Sequence, residues 1–224
     1  MQQPRSMPQR FEALIFDWDG TLMDSAGAIV GSLQAACADL GLPVPSDERA
    51  SYVIGLGLND AMRHILPDVD PGDYPNVVQR YRVHYLQRDA DTSLFPGAAE
   101  LLSSLREAGF LLAIATGKGR RGLDRVLAST GLTGFFHASR CADEGHTKPD
   151  PRMLGLLLEE LGVTNQQALM IGDTTHDMAM AEAAGVARLA VAYGAHSREV
   201  LLPYEPIACV DDFAGLKRWL LEHA

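Results

Sequence analysis

The stretch Ala13-Leu14-Ile15-Phe16-Asp17-Trp18-Asp19-Gly20-Thr21-Leu22 decides how this chain reads. Its leading apolar run has strand length and no polar alternation, which predicts a strand buried on both faces. That strand delivers two carboxylates, one residue apart, into a glycine-containing turn. While the chain stays extended, residues i and i+2 project to the same side. Working outward, apolar runs at 110–115, 169–171, 187–192 and 208–210 read as further strands. Between them lie amphipathic helical patterns at 98–108, 123–129, 153–161 and 178–184, followed by Gly109, Gly131, Gly162 and Gly185 as C-caps. Strand and helix in alternation predict an α/β fold with a doubly wound, mainly parallel sheet. Such sheets bind ligands at the carboxyl ends of their strands.

The rhythm breaks between 25 and 94, where helical segments at 28–40, 60–66 and 74–88 occur without a buried strand. This predicts two domains: a core of 1–24 with 95–224, and an inserted all-helical domain of 25–94 that returns just before the Pro96-Gly97 turn. The 224 residues are 47% hydrophobic and 21% charged, a globular composition. Nineteen Lys+Arg against 29 Asp+Glu give a net charge of −10, which repels a phosphate backbone and excludes nucleic acid as an expected partner. Cys37, Cys141 and Cys209 are odd in number and lack a C-x-x-C pair, so they read as buried small hydrophobes in a reducing compartment. Residues 1–10 are polar, and no apolar run of membrane-spanning length occurs. The expectation is a cytoplasmic protein without a membrane partner.

Four elements carry chemistry at the predicted strand ends. In the pair Asp17 and Asp19, one carboxylate can serve as nucleophile while its neighbour gives and takes a proton; a solvated acidic turn is the plainer alternative. Thr116-Gly117-Lys118 offers a hydroxyl and backbone N–H groups to a small anion, although Gly117-Lys118-Gly119 lacks the spacing of a P-loop. Lys148 stands out because the chain has only three lysines, Lys118, Lys148 and Lys217, beside sixteen arginines. Asp173 and Asp177 can complete an oxygen-rich Mg²⁺ site with the first pair, or one of them can cap a helix. His176 reads as solvent-facing or locally bonded, since no second His or Cys stands at ligand spacing. A carboxylate attacking a phosphate dianion needs cations to offset the repulsion, and Mg²⁺ with Lys148 supplies them while Thr116 and backbone N–H groups orient the phosphoryl oxygens.

In this order Asp17-Trp18-Asp19-Gly20-Thr21, Thr116, Lys148-Pro149 and Gly172-Asp173 with Asp177 resemble the four motifs of the haloacid dehalogenase superfamily, over nearly the whole chain. The helical insertion resembles that superfamily's α-helical cap, and the chain is similar to its phosphoglycolate phosphatase-like branch. The resemblance implies a Mg²⁺-dependent phosphatase acting on a small phosphorylated metabolite through an aspartyl-phosphate, as monomer or homodimer. It implies Asp17 as nucleophile and Asp19 as acid and base. The metal ligands it implies are the Asp17 carboxylate, the Asp19 main-chain carbonyl and Asp173, with Asp177 in support. It assigns the phosphate to Thr116, Gly117 and Lys148. The second Asp disfavours halide displacement, and the absence of lysine between 25 and 94 disfavours a Schiff-base phosphonoacetaldehyde hydrolase. A mutase similar to β-phosphoglucomutase is the main alternative. It would grip a second phosphate through cap loop 55–60, which here carries no basic residue, although Arg49 and Arg63 lie nearby. That loop predicts a small or weakly charged leaving group. A non-catalytic phosphate-responsive module is a third reading, disfavoured by its different chain order. Trp18 departs from the aliphatic residue expected there.

Overall fold

The structure is a computed structural model that describes residues 10–88 and 92–224. Apart from Arg10, the polar amino-terminal stretch lies outside the described residues. β1 (Ala13–Phe16) leads through β2 (Met23–Asp24) into α1 (Ala26–Asp39), α2 (Asp47–Tyr52), α3 (Leu58–Ile65) and α4 (Tyr74–Arg88), and β3 (Ser93–Leu94) pairs antiparallel with β2. Then follow α5 (Ala98–Glu107), β4 (Leu111–Thr116), α6 (Arg120–Ser129), β5 (Ala138–Cys141), α7 (Arg152–Leu161) and β6 (Ala168–Gly172). The chain finishes with α8 (Thr175–Ala183), β7 (Ala187–Val191), α9 (Arg198–Leu201), β8 (Ala208–Val210) and α10 (Phe213–His223). The main sheet runs β5-β4-β1-β6-β7-β8 with every pairing parallel. β1 sits at its centre, with Ala13 opposite both Leu111 and Ala168.

The period-2 geometry of β1 sorts its side chains between two layers. Leu14 and Phe16 enter a core built with Leu101, Leu105, Leu123 and Leu216, while Ala13 and Ile15 enter another with Leu154, Leu157 and Met180. Alanines 113, 115, 138 and 168 on the second face leave room for the bulk of Met153, Leu154 and Leu157 on α7. Continuous apolarity in the strand is thus used on both sides.

The inserted helices have a core of their own, in which Leu33 and Cys37 of α1 meet Met62 and Ile65 of α3 and Val77, Tyr81 and Tyr85 of α4. The β2–β3 ribbon is the stem through which the chain leaves the sheet and returns. Trp18 finds its reason here. It is fully buried in the main core, edge-on to Phe136 with ring centroids 6.4 Å apart, so its bulk fills the layer below the turn. Cys37 and Cys141 are buried as expected, whereas Cys209 is only half-buried because β8 is an edge strand.

Candidate active site

Two adjacent parallel strands, β1 and β6, end at one edge of the sheet and bring the sequence-distant carboxylates together. Asp17 follows β1, its N–H donating to Ile171 O at 2.9 Å, and Asp173 follows β6. Asp177 stands in the first turn of α8, where Thr174 is the N-cap and the Asp177 carboxylate completes a capping box by accepting from Thr174 N at 3.1 Å. Single oxygens of Asp17, Asp173 and Asp177 all lie within 4.8 Å of one another, and all three residues are buried. A Cβ at Gly20 or Gly194 would collide with the Asp173 carboxylate, so both glycines are required by close approach.

Lys148 is the counter-charge. Its Nζ lies 2.7 Å from Asp17 Oδ1 and 2.6 Å from Asp177 Oδ1, itself almost wholly buried. Burial works against the ammonium, but Asp17 and Asp177 outweigh it and hold its pKa at about 12. Burial, with the Asp177 and Asp173 charges adding, holds the Asp17 carboxyl well above its usual range against the pull of Lys148. Asp173 is pushed up to about 7 by burial and then by Asp177, against donation from Ala195 N–H at 2.8 Å and Thr21 Oγ1 at 2.7 Å. Asp17 Oδ2 is buried with no hydrogen-bond partner. An oxygen-only donor set, an orphaned carboxylate oxygen and mutual repulsion among buried acids fit a hard divalent cation.

Asp19 is set differently. It lines a cavity of about 850 Å³ between the sheet edge and the inserted helices, its Oδ1 accepting from Ser25 Oγ at 2.7 Å and its Oδ2 lying 3.0 Å from Lys118 Nζ. Lys118 also donates to Tyr85 OH at 3.1 Å, so a helix of the insertion touches the acid–base candidate through one lysine. Thr116 is buried at the end of β4, its hydroxyl accepting from Lys118 N at 3.1 Å. Gly117 lies so close under Gly55 O and Leu56 O that a Cβ there would collide with the loop. Sequence reasoning gave no role to the side chains of Lys118, Ser25 and Thr21. The scarcity of lysine that singled out Lys148 applied equally to Lys118.

One expectation is corrected. His176 is buried rather than solvent-facing, and its partner is distant in sequence: Nε2 lies 2.7 Å from Tyr52 O at the end of α2. His196 Nδ1 accepts from Thr175 N at 3.0 Å, which leaves its Nε2 proton for the same carbonyl at 3.2 Å. The Tyr52 ring lies between His64 and His196, with centroids 4.5 and 5.6 Å away. The positive charge of the cavity comes from outside loop 55–60, from Arg63, Arg82, Lys118, Arg121 and Arg125, while the loop itself contributes Asp60.

The histidine fastening carries a prediction. His176→Leu leaves Tyr52 O one donor short and costs about 1–2 kcal/mol in thermal or urea unfolding. Burial lowers both histidine pKa values, so the unfolded chain takes up these protons first. Stability held above about pH 6.5 is therefore lost as pH falls below it. In saturating divalent metal, wild type should lose more stability between pH 7.5 and 5.5 than His176→Leu; equal losses would refute the assignment.

The sequence pattern of the haloacid dehalogenase-like hydrolases matches residues 14–191, from β1 through β7. The chain belongs to that family. Among relatives of this haloacid dehalogenase-like hydrolase, the IndB protein of Dickeya dadantii, named a probable phosphatase, is 35% identical over 90% of each chain. A phosphoglycolate phosphatase of Rhodospirillum rubrum is 34% identical over 93% of this chain and 90% of its own. The crystal structure of a Haemophilus somnus protein described as a predicted phosphoglycolate phosphatase superposes with a TM-score of 0.84 over 95% of this chain and 99% of its own; at 23% identity it shows the fold. The family and these relatives make the chain an enzyme, a hydrolase set among the family's phosphatases. No helix among the described residues is long and apolar enough to cross a membrane.

Proposed function

We propose that this hydrolase is a Mg²⁺-dependent phosphatase that cleaves a small phosphomonoester of the phosphoglycolate type through an aspartyl-phosphate on Asp17. The observation that carries the reading is the division of labour between two neighbouring carboxylates. Asp17 is wholly buried beside Lys148, Asp173 and Asp177, whereas Asp19 lines the cavity where a leaving group fits. The Asp17 carboxylate attacks phosphorus while the ester P–O bond breaks, and Asp19 gives its proton to the leaving oxygen. Asp19 then takes a proton from water as the water oxygen attacks phosphorus, the P–O bond to Asp17 breaks, and orthophosphate leaves. Lys148, Thr116 and the Gly117 backbone hold the phosphoryl oxygens. Asp17, the Asp19 carbonyl and Asp173 would hold Mg²⁺, with Asp177 supporting; when bound, the ion supplies positive charge that offsets repulsion between carboxylate and phosphate. The inserted helices act as a cap that excludes bulk water, a role supported by Gly57 N donating to Thr147 Oγ1 at 3.0 Å and by the histidines on Tyr52.

Partners in this reading are a phosphorylated metabolite and at most a second copy of the chain, in a cytoplasmic setting supported by three free cysteines. A mutase is less well supported. Arg49 is occupied by His64 O, at 2.6 Å from Nη2, and Arg63 is paired with Asp60 at 2.8 Å.

Phosphate release from a panel of phosphomonoesters tests the reading. Release should stop with EDTA and return with Mg²⁺; metal-independent release would defeat the metal assignment. Linkage adds a second check. Asp173, pushed up to about 7, and Asp17, also held above its usual range, must shed their protons to bind a cation, so metal affinity should fall steadily as pH drops below about 7. Calorimetry in buffers of different ionisation enthalpy should detect net proton release on metal binding near pH 6.5, from Asp173 and from Asp17, both held above the usual carboxylate range. No proton release would contradict the raised pKa of these buried acids.

A further inference from the structure

The charge of the cavity opposes that of the chain. The molecule carries −10 overall, yet five cationic side chains line this one space against Asp19, Asp60 and Asp143. Those acids are engaged: Asp60 by Arg63 at 2.8 Å, Asp19 by Lys118 at 3.0 Å, and Asp143 by the Arg120 backbone N–H at 2.9 Å. Arg82 and Arg121 are exposed and form no ion pair among the described residues. They come from opposite walls, Arg82 from α4 of the inserted helices and Arg121 from the first turn of α6 beside the sheet edge. Ile29, Leu33, Val78 and Leu86 supply apolar surface in the same space. At about 850 Å³ the cavity falls in the range that holds ligands far larger than a two-carbon alcohol.

We propose that the substrate's leaving group is itself anionic and larger than glycolate: a carbon body bearing a carboxylate or a second phosphate, whose charge Arg82 and Arg121 hold from opposite sides of the cavity. This rests on the phosphatase reading alone and replaces its phosphoglycolate-type substrate with a larger anionic ester. Discrimination then comes from the difference between charged and neutral leaving groups of one shape, since a site built for an anion leaves its cations without a partner when a neutral group binds.

Three esters of one shape isolate that difference: phenyl phosphate, 4-carboxyphenyl phosphate and 4-phosphonophenyl phosphate, with phosphoglycolate as the small anionic comparison. Wild type should show kcat/KM for at least one charged aryl ester about tenfold or more above phenyl phosphate and above phosphoglycolate. The better of the two names the anion. In Arg82→Gln/Arg121→Gln the charged-to-neutral ratio should fall to within about twofold of unity. Both positions are exposed, so a thermal melt close to that of wild type will show that the variant is folded. A ratio near one in wild type, or a preference that survives in the double variant, overturns the proposal, as does phosphoglycolate outrunning both charged aryl esters. The function reading is judged separately: phenyl phosphate turnover that vanishes in Asp17→Asn upholds it whatever the ratio, and no turnover of any ester removes both.

Discussion

Asp17→Asn should lower phosphate release by at least about 10³-fold while the protein stays folded. The amide keeps the shape of the carboxylate and can still accept the Trp18 N–H, which meets Asp17 Oδ1 at 2.6 Å, but it cannot form the acyl phosphate. Binding and the positive charge of Lys148 remain, so the substrate still docks and the loss is in kcat. The same change should be mild for stability. Asp17 is one of three buried carboxylates whose oxygens lie within 4.8 Å of one another, and burial already works against its ionised form. Removing it relieves Asp177 and Asp173 of a like charge, while Lys148 keeps Asp177 at 2.6 Å. The melting temperature near pH 7 should therefore lie within about 4 °C of wild type. Rapid quench and mass spectrometry complete the test: a phosphorylated peptide containing Asp17 in wild type and none in the variant. Turnover within tenfold of wild type in a clean Asp17→Asn preparation would sink the nucleophile assignment.

What the sequence reveals of this molecule follows the strength of the physical signal. β1 and β8 fall on the residues predicted, and β4, β6 and β7 differ only at their ends, because each is built on an apolar run, interrupted in β7 only by Arg188. β5 escaped the reading. It is an edge strand whose central Ser139 and Arg140 face polar partners, Arg120 and Glu160, so its sequence Ala-Ser-Arg-Cys carries no apolar run. α2, α9 and α10 were also overlooked; the first two are 6 and 4 residues long, too short to show a helical period. At the site, Asp17, Thr116 and Asp173 were recognised where strands end, and Lys148 and Asp177 through the motifs that surround them in the loop before α7 and the first turn of α8. Those overlooked act from loops: Thr21 in the turn after β1, Ser25 between β2 and α1, the Ala195 N–H after β7, and Lys118 after β4. No local pattern marks a hydroxyl that serves a carboxylate 152 positions away. The cavity's positive lining was invisible for the same reason, since Arg82 and Arg121 belong to different domains of the predicted layout and meet only through the fold.

Lys148→Met tests the electrostatic logic of the site from the opposite direction and should be the most damaging single change to stability. The ammonium is the shared partner of Asp17 and Asp177, at 2.7 and 2.6 Å, in a position with essentially no solvent to replace it. Methionine fills the space but leaves three acids without a counter-charge. Breaking a buried ion pair by removing one partner costs about 3–5 kcal/mol. The sign of its pH dependence separates this cause from a packing defect. Without Lys148 the carboxylates hold protons to higher pH than they do in the unfolded chain, so the folded variant binds more protons and gains stability as pH falls from 8 toward 5. The deficit relative to wild type should shrink over that interval, and a divalent cation should shrink it further at pH 8 by supplying the missing charge. Activity should drop by at least about 10²-fold even where the fold is restored, because the phosphoryl oxygens lose their fixed cation. Urea unfolding at pH 8, 6.5 and 5, with and without Mg²⁺, reads all of this. A deficit that stays constant across pH and metal would mean that Lys148 stabilises by its packing alone, and the charge balance drawn for Asp17, Asp173 and Asp177 would have to be abandoned.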